Sequence, residues 1–181
     1  MSRLDDIIRA SSMTVGALSV PCGVIPGADT PLLVTQWSAL TGIIIAEHGL
    51  NRESNGKPTL SKADITAALK AVTAAFASYK VGSTILQYAA TAVLSILTGG
   101  LWLFLGASGI VLLNALLNSF FTWKLGHRID KFFSANDEPN MANLLSIMKE
   151  VVTVFDESDF KAYWKDCNLS FSEIKSWLKK F

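Results

Sequence analysis

The sequence feature that most limits the fold is an uncharged stretch from Val81 to Trp123, which contains no Asp, Glu, Lys, Arg or His. Two glycines break this stretch near its middle and leave an apolar arm on each side. Because a helix rises about 1.5 Å per residue, each arm matches the roughly 30 Å hydrocarbon core of a bilayer. The stretch therefore predicts a helical hairpin with an apolar tip. The tip residues are Gly99, Gly100, Leu101 and Trp102.

Composition excludes several classes of protein. The chain has 181 residues, half of them hydrophobic, and a formal net charge of +1. This size suits a single domain with a real core, and the charge lacks the basic excess of nucleic-acid binders, so we expect no nucleic-acid partner. Cys22 and Cys167 stand in no metal-ligand or redox spacing, which favours a reducing cytoplasm. The acidic N-terminus predicts no cleaved signal peptide.

The two arms differ in chemistry. The first arm carries uncharged polar side chains three or four residues apart, which places them along one face of a helix. The second arm is more apolar and carries two asparagines one turn apart. We expect the polar stripe to face the second arm, because Ser, Thr and Asn side chains can hydrogen-bond between helices; lining a pore is the alternative. The stripe consists of Ser83, Gln87, Thr91, Ser95 and Thr98, and the asparagines are Asn114 and Asn118.

Basic residues border both arms. Lys80 precedes the first arm, and Lys124, Arg128 and Lys131 follow the second. In a hairpin these residues lie side by side and form one basic base. If the hairpin spans a bilayer, the positive-inside rule places this base and both termini in the cytoplasm.

Apolar residues recur at helical spacing through the rest of the chain, and no strand-like alternation of useful length occurs. The sequence therefore predicts an all-α fold, a helical bundle organised around a long antiparallel helical hairpin with an apolar tip. The single domain, 1–181, has three parts. These are 1–60 with two N-terminal helices, 61–133 with the central apolar hairpin, and 134–181 with C-terminal amphipathic helices.

Helix boundaries can be predicted from capping residues. The first helix runs from about Leu4 to Leu18, after Ser2. The second runs from Pro31 to about His48, and Asp29, just before the proline, is best interpreted as its cap. Ser170 and Glu173 have the spacing of a capping box ahead of the last helix.

Catalytic and metal-binding groups do not converge in this sequence. His48 and His127 are interpreted as surface or C-terminal capping residues, because a metal site usually needs three or four ligands. The segment Gly56 to Thr59 resembles the end of a phosphate loop, but Pro58 stands where Ser or Thr is required. We therefore predict no catalytic, cofactor-binding or metal residues and a protein that is not an enzyme.

Two segments resemble the YcjF-like domain of unknown function, an α-helical bacterial domain found in membrane proteins and after Era-type GTPase domains. The first runs from Pro26 to Gln36 and contains a proline-aspartate-proline entry to a helix. The second runs from Thr122 to Gly126, followed by Phe132, and is similar to the segment that closes the family's apolar hairpin. The similarity covers roughly residues 11–133. The resemblance implies a location at the bacterial inner membrane or its cytoplasmic face, and a GTPase partner that acts in trans.

Three functional hypotheses follow. The preferred one is a non-enzymatic, membrane-associated protein that inserts the tip of a hairpin from about Ser61 to Phe133, with membrane lipid, a GTPase or a second copy as partner. The second is a toxin or effector that resembles pore-forming colicins, in which a helical shell hides the hairpin until a trigger releases it. The third is a soluble helical interaction module whose hairpin is simply core.

Overall fold

The computed structural model describes residues 2–21, 28–50, 60–82, 84–100, 107–135 and 140–178. Throughout these ranges the regular elements are α-helices, which confirms the all-α prediction. In chain order the helices are α1 (Arg3–Ser19), α2 (Thr30–Glu47), α3 (Lys62–Gly82), α4 (Thr84–Leu97), α5 (Ala107–Ala135), α6 (Met141–Thr153), α7 (Glu157–Asp166) and α8 (Phe171–Leu178).

Short polar side chains begin the first and last helices. The Ser2 hydroxyl accepts a hydrogen bond from the Asp5 backbone N–H at 3.1 Å, and the Asp5 carboxylate accepts one from the Ser2 N–H at 2.7 Å. Ser170 and Glu173 make the same reciprocal pair at the start of α8, at 3.2 and 2.9 Å. Each such cap satisfies N–H groups that have no partner inside the helix and is worth about 1 kcal/mol.

Helix α5 lies at the centre of the bundle. It contacts α1 most extensively, and also α2, α6, α7 and α8. From Leu112 to Phe133 most of its apolar side chains are buried, so this apolar sequence forms the core. The buried apolar residues of α5 are Leu112, Leu113, Ala115, Leu116, Leu117, Phe120, Phe121, Leu125, Ile129, Phe132 and Phe133.

Two glycines permit α1 to approach its neighbours closely. A Cβ atom at Gly126 of α5 would lie 2.8 Å from Cγ2 of Ile8, and one at Gly16 of α1 would lie 2.6 Å from the Trp177 ring. Both distances are shorter than van der Waals contact, so a larger residue at either position would push these elements apart. The close packing of α1 in the bundle therefore requires glycine, whose side chain is a single hydrogen atom, at both positions.

The chain turns sharply after α4, as Gly99 and Gly100 predict. These glycines have φ angles of +60° and +85°, in the left-handed region that glycine adopts at little cost. The Gly100 N–H donates to the Ser95 carbonyl at 2.7 Å and the Gly99 N–H to the Ile96 carbonyl at 3.2 Å, which is a Schellman motif. The two flanking segments are helical, but α4 contacts α5 only sparsely, and Leu101 and Trp102 lie outside the described residues. The long antiparallel hairpin therefore stays a prediction.

Among the helices as far as they are described, none combines the length and the apolar character needed to cross a bilayer.

Candidate functional site

A buried carboxylate joins the start of α2 to the middle of α5. Asp29 is only 1% exposed, and its Oδ2 atom accepts hydrogen bonds from the side-chain amides of Asn114, at 3.1 Å, and Asn118. The Asn118 amide also donates to the Ser19 hydroxyl at 3.0 Å, near the end of α1. Burying a charge is costly unless it is hydrogen-bonded, and these amides offset that cost. We call Ser19, Asp29, Asn114 and Asn118 the Asp29 network.

The Asp29 network bears on two sequence-based expectations. Asp29 occupies the N-cap position of α2, as predicted, but its side chain makes no capping hydrogen bond. The second-arm asparagines donate to Asp29, and a contact between this arm and the first-arm stripe stays a prediction. In α4, Ser95 donates to the Thr91 carbonyl and Thr98 to the Leu94 carbonyl, so each hydroxyl proton is used within its own helix. Ser83 and the side chain of Gln87 lie outside the described residues.

The residues that carry the family resemblance have packing roles beside this network. The buried Trp37 of α2 donates its indole N–H to the Thr122 hydroxyl at 2.8 Å, and Thr122 donates to the Asn118 carbonyl at 2.7 Å. Gly126 lies one turn further along α5, where Ile8 approaches it. Thr122, Gly126 and Asp29 therefore all stabilise the contact among α1, α2 and α5.

Two basic residues of α5 contact one carboxylate of α7. The side chain of Lys124 is only 4% exposed, and its Nζ atom lies 3.1 Å from Oδ2 of Asp159 and 2.9 Å from the Val154 carbonyl. Arg128 approaches the same Asp159 oxygen at 3.4 Å. Lys124, Arg128 and Lys131 line one cavity, and Lys124 is buried as an ion pair. A common basic base with Lys80 stays a prediction. The side chain of Lys80 lies outside the described residues.

His127 lies between two acidic neighbours on different helices. Its Nδ1 atom is 4.0 Å from Asp5 of α1, and its Nε2 atom is 3.9 Å from Asp166 of α7. Desolvation lowers the pKa of His127, although the carboxylates of Asp166, Asp5 and Asp130 act in the opposite direction. The Nε2 atom is buried without a hydrogen-bond partner in the described part of the chain. His127 is therefore mainly neutral near pH 7, and its side chain is partly exposed in mid-helix, so it does not cap the C-terminus of α5.

His48, by contrast, stands where it was predicted, at the C-terminal end of α2. Its Nε2 atom lies 2.9 Å from Oδ1 of Asp130, and its ring packs at 5.9 Å from the Phe133 ring.

The C-terminal half of α5 also borders two cavities that share Arg128 and Lys131. One, of about 210 Å³, lies between α5 and α6, and the other, of about 230 Å³, opens toward Asp159 of α7. Sequence reasoning missed these cavities, because they depend on how α6 and α7 pack against α5. The one sequence signal was the cluster of cations at helical spacing after Trp123.

The opposite end of the bundle exposes apolar side chains. Ile96 is 72% exposed and Ile110 is 63% exposed, which makes them the two most exposed of the large hydrophobic residues whose burial is described. They flank the predicted tip on its two sides. In the sequence, the predicted tip is thus flanked by two exposed side chains that water solvates poorly.

Reactive groups are scarce among the described residues. No group of three or more His, Cys, Asp or Glu side chains is arranged there to hold a metal ion. Cys167 is buried beside the Ser12 hydroxyl, and burial raises the pKa of its thiol to about 11, so the reactive thiolate form is rare near neutral pH.

Comparison with family models, with characterised proteins and with solved structures finds no match to this chain. The resemblance to the YcjF-like domain therefore rests on the two sequence segments, and it stays a prediction.

Proposed function

We propose that this chain is a non-enzymatic, membrane-associated helical protein that inserts an apolar tip centred on Gly99 and Gly100 into one leaflet of a bilayer. The observation that carries the proposal is the exposure of Ile96 and Ile110 on the two sides of the tip. Between them the sequence Leu-Trp-Leu-Phe-Leu, at 101–105, adds further apolar area. Trp is enriched at membrane interfaces, which suits Trp102 in this position.

The packing of α5 favours shallow insertion over a spanning hairpin. From Leu112 onward α5 forms the core of the bundle, so drawing this part into lipid would unfold the protein. Insertion of the tip alone requires no such change. An interfacial segment typically sinks about 5–10 Å into the boundary between headgroups and acyl chains. The hairpin of 61–133 would therefore contribute its tip, and the rest would remain folded at the surface.

The energy of such insertion is modest. Burying an isoleucine side chain contributes roughly 1.5–3 kcal/mol, so the two exposed isoleucines supply only a few kcal/mol. Binding of that strength is reversible, as it is for a single lipid anchor. A partner at the membrane would strengthen it. The family resemblance suggests a GTPase acting in trans at the cytoplasmic face of the bacterial inner membrane, and a second copy of this chain is the other candidate.

The second candidate function is that of a pore-forming, colicin-like protein. The burial of the central helix α5 by the amphipathic helices around it favours this alternative, because such proteins hide their apolar helices until a trigger releases them. Under this alternative the Asp29 network and the Lys124–Asp159 pair hold the closed form. The third hypothesis, a soluble interaction module, requires no lipid contact at all.

Flotation with phospholipid vesicles tests the proposal. The wild-type chain should float with vesicles, and Ile96→Asp combined with Ile110→Asp should reduce the bound fraction about tenfold or more, since each charge opposes burial in lipid. Ile43→Asp is the matched control, because Ile43 is 40% exposed on α2, away from the tip. Equal flotation of the tip variant, or failure of the wild type to bind, would contradict tip insertion. Release of entrapped dye by the wild type would favour the pore-forming alternative.

A further inference from the structure

The cavity between α5 and α6, which we call the α5–α6 groove, combines an apolar floor with a charged rim. Its floor is formed by Phe132 and Val151, which are buried, and by the partly buried Ile147. Arg128 and Lys131 lie on the α5 side of the groove. Such a surface presents hydrocarbon and positive charge to the same ligand.

The charges of the groove are unbalanced. Arg128 reaches Asp159 at 3.4 Å, but that carboxylate is also held by Lys124 at 3.1 Å. Within the part of the chain that the structure describes, no carboxylate lies within ion-pair distance of Lys131. Glu150 contributes one negative charge on the α6 side. The rim therefore carries two cations and one anion, and it favours a ligand with a negative head.

We propose that the α5–α6 groove binds a free, single-chain amphiphile with an anionic head, a medium-chain carboxylate or alkyl phosphate. The head contacts Arg128 and Lys131, since a guanidinium matches carboxylate and phosphate oxygens in a bidentate pair. The alkyl chain lies on the apolar floor. The volume of about 210 Å³ is below the roughly 300–1,000 Å³ of sites for drug-sized ligands, so the chain is short.

The position of the groove favours an amphiphile from solution over a lipid in a bilayer. Ile110 and Lys131 both lie on α5, and at ~1.5 Å per residue they are about 30 Å apart along the helix axis. With the tip in a leaflet and α5 along the bilayer normal, the groove lies well outside the headgroup layer. Ligand binding and membrane insertion are therefore separate properties, and either can fail without the other.

Calorimetric titration of the full chain with sodium octanoate and with octyl phosphate tests the proposal. Both should bind at one site. Octanol, which lacks the charge, and inorganic phosphate, which lacks the chain, should bind about tenfold more weakly or not at all. Octyltrimethylammonium has the same chain and the opposite charge, and it should give no binding heat.

Two variants and one control locate the site. Lys131→Gln should weaken octanoate binding about tenfold through loss of a charge-assisted hydrogen bond, and Ile147→Gln should weaken it through loss of apolar contact. Lys62→Gln removes the same charge from an exposed position at the start of α3 and should leave binding unchanged. Lys131 is exposed, so its replacement should not disturb folding, and a melting curve checks this. The proposal is overturned if octanol binds as tightly as octanoate, if Lys131→Gln binds as the wild type does, or if neither anion binds.

Discussion

At the scale of single residues, Asn118 connects three separate segments of the chain. Its side-chain amide donates to Ser19 at the end of α1 and to Asp29 at the start of α2, from a buried position in the middle of α5. A buried asparagine in an apolar helix destabilises the fold unless its polar atoms form hydrogen bonds. Its presence is explained in part by the carboxylate it contacts, because each of these buried polar groups supplies a hydrogen-bond partner for the other.

Asn118→Leu should therefore destabilise the protein strongly. The substitution leaves the Asp29 carboxylate buried with fewer hydrogen bonds, and such a loss costs roughly 3–5 kcal/mol of unfolding free energy. Asn143→Leu, at an exposed position of α6, is the control and should change stability by less than about 0.5 kcal/mol. Urea unfolding of both variants measures the difference. A loss below about 1 kcal/mol for Asn118→Leu would show that the network contributes little.

His127 should make stability depend on pH. Its pKa is lowered in the folded chain from the ordinary 6.5, so the unfolded chain binds more protons once the pH falls below that value. Stability should therefore decrease as the pH falls from about 6.5 toward the lower, folded pKa. His127→Gln should flatten the unfolding free energy measured between pH 7.5 and 5. Asp5 and Asp156 also have lowered pKa values, but they titrate below this window. An unchanged pH slope in the variant would rule out His127 as the cause.

At the scale of helices, local sequence signals predicted where helices begin better than they predicted which side chains contact each other. The capping box of Ser170 and Glu173 and the proline at position 31 each mark a helix start within a residue or so, because a cap depends only on its neighbours in sequence. The partner of Asp29 could not be predicted in the same way. Asn114 and Asp29 are separated by 85 positions in the chain, and only the packing of α2 against α5 brings them together.

Two glycine substitutions on helices should have opposite effects. Gly126→Ala places a Cβ atom 2.8 Å from Ile8, and overpacking of this kind costs typically about 1–3 kcal/mol, partly offset by the better helix propensity of alanine. Gly42→Ala in α2 meets no atom within 4 Å and should stabilise by up to about 1 kcal/mol. Thermal melting of the two variants compares them directly. A stabilised Gly126→Ala would show that α1 can move away from α5 at no cost.

At the scale of the whole molecule, the apolar stretch has two different environments. Composition and helical spacing predicted an all-α chain with this stretch at its centre. They could not predict that α5 would be wrapped by the bundle from Leu112 onward while Ile110, close by on the same helix, stays exposed. An apolar residue has the same transfer energy toward lipid as toward a protein core, so hydropathy alone cannot distinguish the two. The burial of Lys124 could not be predicted from the sequence either, because its partner Asp159 belongs to another helix.

A matched pair of substitutions on α5 should separate the two environments. Leu116→Asp introduces a carboxyl group at a fully buried position, and the loss of several kcal/mol is a large part of the roughly 5–15 kcal/mol that stabilises a typical domain. We expect this variant to lack a cooperative melting transition by circular dichroism. Ile110→Asp places the same charge where the side chain is 63% exposed and should melt as the wild type does. A folded Leu116→Asp would mean that α5 is not the core of the bundle.

The contact between α1 and α5 has a consequence for synthesis on the ribosome. Ser19 and Asn118 are separated by 99 positions, so α1 leaves the ribosome long before the helix that covers it. Until then its apolar face is exposed to water and to other nascent chains, and contacts between distant segments form slowly. Folding of this protein in the cell should therefore depend on chaperones that shield α1 until α5 has emerged.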